Sequence, residues 1–167
     1  MSVFTDLSAI TRADGGTGTK QSIARGFGGA SRTYDNASRL QKAMGDAMLA
    51  RIPGDFGPGA VLDLGCGTGW FTRKLAARYP DAASIGADLA TGMLGQARTG
   101  GPNTITWLNA DAEQLPLADQ SVDLIFSNLM IQWSSRPAVI LAECQRVLKP
   151  GGFLAISTLL DGTLGEL

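Results

Sequence analysis

The chain has 167 residues, 44 % hydrophobic and 17 % charged, with a net charge of −1, a composition that suits one soluble domain with its own core. No window holds the ~18 unbroken apolar residues of a membrane span, the near-neutral charge does not suit a nucleic-acid binder, and the N-terminus lacks a basic-then-apolar secretory signal. Neither a membrane nor a nucleic-acid partner is expected, and the cytoplasm is the default compartment. Histidine is absent, which excludes Ser-His-Asp and Cys-His nucleophiles and removes the commonest general base and metal ligand. Cys66 and Cys144 form neither a disulfide framework nor a zinc spacing, and no metal is expected.

Residues 1–19 end in the Gly- and Thr-rich TRADGGTGTK and are expected to be a flexible tail. The phosphate-loop spacing G-x-x-x-x-G-K-S/T is absent there. Residues 20–58 read as a helical cap and linker. Helices are predicted over 20–28 and 35–52, with Leu40, Met44, Ala47, Met48 and Ile52 on one face. The segment PGDFGPG (53–59) ends the pattern. Residues 1–60 carry seven Lys/Arg against five Asp/Glu; this basic front end suits an acidic partner or a solvated helix face.

From 59 to 167 the elements alternate. Strands are predicted at AVLDL (60–64), SIGAD (84–88), TITWLN (104–109), VDLIFS (122–127) and FLAIST (153–158). Helices are predicted at 68–79, 91–98 and 136–148, the last ended by KPGG. This alternation predicts an α/β fold, a Rossmann-like parallel sheet with helices on both faces.

Ligands of open α/β sheets sit beyond the carboxyl ends of the strands, and the unusual residues gather there. Gly65, Gly67 and Gly69 follow the first strand, where glycine lets a ligand approach the backbone and the next helix aims free N–H groups. Asp88 ends the second strand, 19 residues after Gly69, the place of an acid that accepts ribose hydroxyls. Asp111 follows the third strand and can accept from an adenine amino group. Each residue alone also has a plain reading, as a tight turn or a helix cap; the three in order favour a nucleoside site. The dinucleotide fingerprint needs G-x-G-x-x-G, but Trp70 stands at its third glycine. A single adenosine with a short tail fits better than a pyrophosphate.

Here the sequence resembles the class I S-adenosylmethionine-dependent methyltransferases, through VLDLGCGTG, ADLATGML, NADAEQLPLADQSVDLIFSN and RVLKPGGFLAIST. The resemblance implies S-adenosylmethionine as cofactor. Its methionine part would border the loop that includes Asp63, Gly65, Cys66, Gly67 and Gly69. Its ribose would meet Asp88 and Leu89, and its adenine Met93, Asp111 and Ala112, with Asn128 near the methyl group. KQSIARGFGGASRTYDNASRLQ (20–41), SNLMIQW (127–133) and TLLDGTLGEL (158–167) are similar to the malonyl-acyl-carrier-protein O-methyltransferases of biotin synthesis. That resemblance implies Tyr34 as the catalytic residue near the methyl site, Gln132 and Trp133 on the acceptor side, and a malonyl-loaded acyl-carrier protein as partner. Arg25, Arg32 and Arg39 are candidates to hold the acceptor carboxylate, each against a plain solvated role. Cys66 reads as a small turn residue and Cys144 as core.

That family's sheet has seven strands, the last antiparallel. Five are predicted here, so the resemblance implies that strands six and seven, their helix and part of the acceptor pocket lie outside this chain. Other readings stay open: a class I methyltransferase acting on a small acid or quinone precursor, an S-adenosylmethionine-binding module without turnover, or, distantly, an NAD-dependent oxidoreductase.

Overall fold

The computed structural model describes residues 39–159. The expected tail, the helix at 20–28, Arg25, Arg32, Tyr34 and the segment from 160 onward lie outside the described residues. Within them, five strands form one parallel sheet: β1 (Ala60–Leu64), β2 (Ala83–Asp88), β3 (Ile105–Asn109), β4 (Val122–Asn128) and β5 (Leu148–Ser157), in the order β3-β2-β1-β4-β5. Four helices accompany them: α1 (Arg39–Leu49), α2 (Trp70–Arg78), α3 (Thr91–Thr99) and α4 (Pro137–Val147). Among the described residues, no helix is long and apolar enough to cross a membrane.

The chain runs from β1 out to β3, then returns to the other side of β1 for β4 and β5. The switch point therefore falls between β1 and β4, where a crevice opens beyond the strand ends. These two strands carry the core. Leu62 pairs with both Ile85 and Ile125. Alternation sends Leu62, Leu64 and Ile125 to one face, with Ile140, Cys144 and Val147 of α4. Val61, Leu124 and Phe126 go to the other, against Phe71 and Leu75 of α2. The buried positions of α4 repeat at helical spacing, and Pro137 opens the helix where its missing N–H costs nothing. Cys144 is wholly buried, and burial, with the charge of Glu143, pushes its thiol up to about 12. It is core, as read from the sequence.

Three expectations need correction. The helix predicted to run to 52 ends at Leu49; along its predicted face Ile52 is buried, whereas Leu40 is 50 % exposed and Ala47 is exposed. Gly45 is the buried helix residue instead, facing the Phe71 ring. The helix predicted from 68 starts at Trp70, because residues 65–69 make a left-handed turn first. The last strand begins at Leu148 rather than at 153. KPGG does end the helix, but it then runs beside β4: Leu148 pairs with Val122 before a register shift at Val122/Leu124.

Asp123 holds that irregular end together. Its Oδ2 accepts the N–H groups of Gly59 (3.0 Å) and Ala60 (2.9 Å) and the Lys149 ammonium (3.0 Å). Burial opposes the charge, but these donors outweigh it and hold the carboxyl below its ordinary pKa. The brace is therefore present above the unfolded carboxylate pKa and is lost as pH falls through the lower folded value. Asp123→Ala is expected to lower stability by about 1–3 kcal/mol, read as a lower urea midpoint at pH 7, with Asp123→Asn recovering part of the loss.

Candidate active site

The loop after β1 is built from left-handed backbone. Gly65, Gly67 and Gly69 have φ of +77°, +55° and +79°. The N–H groups of Gly65 and Cys66 both donate to the carbonyl of Ala87 in β2, at 2.8 and 3.0 Å. A Cβ on Gly65 would stand 2.3 Å from Met130 Cγ, whereas one on Gly67 would meet nothing within 4 Å. Gly65 is thus required by packing, and Gly67 presents bare backbone to open space. Trp107 of β3, which nothing in the sequence pattern singles out, fills the room that side chains at Gly69 and Gly86 would need.

Asp88 joins this loop to the next element. Its Oδ2 accepts the Gly67 N–H and its Oδ1 the Ala90 N–H, both at 2.8 Å. Burial raises its pKa against the pull of those amides. A carboxylate offers about four lone-pair sites, so Asp88 has room for a further donor. Asp63 lies deeper, 3 % exposed, and accepts the Thr72 hydroxyl at 2.6 Å. Burial, aided by the charge of Asp88, raises its pKa to about 7. Asp111 Oδ1 caps the Glu113 N–H at 3.0 Å. Cys66 is buried, and burial, with Asp63 and Asp88 nearby, pushes its thiol up, so it is no nucleophile.

These groups surround a cavity of about 160 Å³ beyond β1–β4. Gly65, Gly67, Asp88, Leu89 and Met93 line it, together with Asp111, Ala112, Asn128 and Trp133. A second cavity of about 70 Å³ also borders the glycine loop, lined by Asp63, Cys66, Gly67 and Asn128 with Lys42 and Trp70. Gly65, Gly67 and Asn128 border both. Asn128 also donates to the Gln41 carbonyl of α1 at 3.0 Å and accepts the Ser157 hydroxyl at 2.7 Å.

Two expected residues stand apart: Gly69 and Gln132 line neither cavity. Gln132 Oε1 faces the Thr158 hydroxyl at 3.4 Å. Arg39 is exposed. The contribution of α1 to the second cavity, through Gln41 and Lys42, was missed, as was the stacking of Lys42 Nζ 4.1 Å above the Trp70 ring. The charge of the main cavity is one-sided. Its described lining holds Asp88, Asp111 and Glu113 and no Lys or Arg. Such a wall repels phosphates and accepts hydroxyl, amino and cationic groups. No cluster that could hold a metal occurs among the described residues.

The buried Asp63 makes stability depend on pH. Its folded pKa of about 7 exceeds the ordinary aspartate value of 3.8, so between these pH values the folded chain holds a proton that the unfolded chain releases. Stability is therefore expected to fall as pH rises through this window, by at most about 1.4 kcal/mol per unit. With no histidine in the chain, few other groups titrate between pH 5 and 7. Urea unfolding from pH 5 to 8 is expected to show this slope in the wild type and a smaller one in Asp63→Asn; equal slopes would contradict the assignment.

A family model described as "Methyltransferase domain" matches residues 62–156. The biotin biosynthesis bifunctional protein BioHC of Cellvibrio japonicus is 47 % identical over 89 % of this chain and 29 % of its own length. The malonyl-acyl-carrier-protein O-methyltransferase of Hahella chejuensis is 39 % identical over 98 % of this chain and 59 % of its own. The chain thus spans between 29 % and 59 % of the length of these curated relatives. A crystal structure of an S-adenosylmethionine dependent methyltransferase from Mesorhizobium loti superposes with a TM-score of 0.61 at 36 % identity, covering 68 % of this chain and 52 % of that one. With the same glycine loop, acids and parallel sheet inside a match to more than half its residues, the chain belongs to the methyltransferase domain family.

Proposed function

We propose that the chain forms the S-adenosylmethionine site of an O-methyltransferase that esterifies the free carboxylate of a malonyl group carried on acyl-carrier protein, a step of biotin synthesis. The main cavity carries this reading: Asp88 and Asp111, a Glu113 carboxylate paired with Arg136, and no basic side chain in its described lining, beside glycine backbone that leaves open space. That donor set suits a nucleoside joined to a sulfonium and disfavours a pyrophosphate. The choice of acceptor is supported by the names of the relatives and by the resemblance of residues 20–41 to the malonyl-acyl-carrier-protein enzymes.

In this reading Asp88 accepts from the ribose hydroxyls, beside Leu89. Met93, 2 % exposed, packs on the adenine, whose edge meets Asp111 and Ala112. Bare backbone at Gly65 and Gly67, over Asp63 and Cys66, lets the ligand pass into the second cavity, with Gly69 turning the chain into α2. Asn128, which borders both cavities, stands near the reacting carbon.

The bound cofactor would supply an electrophilic methyl group on a sulfonium centre. The acceptor brings its own nucleophile, since a malonyl carboxyl with a pKa of about 4 is ionised at pH 7. No proton has to be removed, which agrees with a chain without histidine. The protein's task is to orient and partly desolvate an anion in line with the methyl group. Tyr34 would hydrogen-bond that carboxylate, Trp133 at the cavity rim and Gln132 would border the acceptor, and an Arg of the cap would hold it.

The full-length protein, given methyl-labelled S-adenosylmethionine and malonyl-acyl-carrier protein, is expected to put label into a base-labile ester. Label on a quinone precursor instead, with none on the malonyl carrier, would overturn the substrate. Asp88→Ala is expected to weaken S-adenosylhomocysteine binding by about 1.5–3 kcal/mol in calorimetry; unchanged affinity would remove Asp88 from the ribose.

A further inference from the structure

The loops after β3 and β4 start far apart. Their parent strands are separated by β2 and β1, three spacings or about 14 Å at the usual inter-strand distance. Yet they meet over the main cavity. Ser134 Oγ donates to Glu113 Oε1 at 3.2 Å, and Arg136 Nη1 donates to Glu113 Oε2 at 3.1 Å. Ser134 Oγ in turn accepts the Arg136 N–H at 2.9 Å. Each oxygen of one carboxylate thus takes a partner from the opposite loop, and the loops are joined where Glu113 and Ser134 line the cavity.

The two sides of Glu113 differ in how firmly they are held. Downstream, Arg146 of α4 pins the loop through the carbonyls of Leu115 (3.0 Å) and Leu117 (2.8 Å) and through Asp119 (2.7 Å). Glu143 takes the Leu115 N–H at 2.9 Å. At Glu113 the hold is lighter. Its side chain is 7 % exposed, but that of Arg136 is 63 % exposed, so the guanidinium end of the pair stands in solvent. The opposite loop leaves β4 through Leu129, a non-glycine residue at φ +54°, a strained position that suits a hinge.

We infer that Glu113, Ser134 and Arg136 form a latch across the nucleoside end of the cavity, and that its opening sets the rate at which the nucleoside leaves. Glu113 is a positioning residue here: it fixes the turn that carries Asp111 and Ala112 against the loop that carries Trp133. The inference rests on the reading of the cavity as an adenosyl site. Glu113 and Ser134 line the cavity, but Arg136 does not. An effect of Arg136 on the ligand must therefore pass through the latch.

Stopped-flow dissociation of S-adenosylhomocysteine from the full-length protein, together with amide hydrogen exchange on the unliganded protein, tests this. Arg136→Ala and Glu113→Gln are each expected to speed dissociation about three- to tenfold. Because both break the same pair, the double variant should be no faster than the quicker single one. Exchange over 111–113 and 130–134 should rise together in Arg136→Ala. Wild-type dissociation rates, single effects that multiply, or faster exchange in one loop only would overturn the latch. A wild-type protein that takes up no S-adenosylhomocysteine would overturn the adenosyl reading, and the latch with it.

Discussion

Asp88 ends β2 with a carboxylate that two other segments need. One oxygen takes the N–H of Gly67, in the loop after β1, and the other takes that of Ala90, just before α3. A loop with three left-handed residues cannot pair all its amides within itself, and an unpaired amide under cover costs free energy. The carboxylate supplies that partner from the neighbouring strand, while the Ala87 carbonyl takes two more amides of the loop. The loop is thereby held flat against the end of β2, and the space above it stays open. Loop shape, start of α3 and floor of the cavity all follow from one side chain.

Charge decides what such a floor can receive. A glycine turn before a helix ordinarily attracts phosphate, through its free N–H groups and the helix dipole. Here Asp88 already occupies the Gly67 amide, and Asp111 adds a second carboxylate to the wall, while the Glu113 carboxylate is paired with Arg136. The same fold that binds pyrophosphates elsewhere is turned toward hydroxyl, amino and cationic groups. The high pKa of Asp63 follows from the same crowding, with burial first and the Asp88 charge adding to it.

Much of this was legible in the sequence, because it depends on local pattern. Five apolar runs marked the strands, and the glycines and acids after the first three placed Gly65, Asp88 and Asp111 at their carboxyl ends. Contacts between distant segments were not legible. Trp107 looks like any strand aromatic, and only the fold lays it against Gly69 and Gly86. Glu113 and Arg136 meet across the cavity although 23 residues separate them in sequence. KPGG reads as a stop signal because Pro and Gly end helices, yet those residues run on beside β4, where Asp123 receives Lys149. On α1 the helical periodicity was legible but not which positions are covered: Leu40 is 50 % exposed, while Gly45 is buried against Phe71.

The central claim is that the cavity accepts an adenosyl group and refuses a dinucleotide. Calorimetric titration of the protein with S-adenosylhomocysteine and, separately, with NAD puts the question directly. One site for S-adenosylhomocysteine in the micromolar range and no measurable heat from NAD is the expected result. Binding of NAD at equal or better affinity, by a cavity lined with three carboxylates, would contradict it.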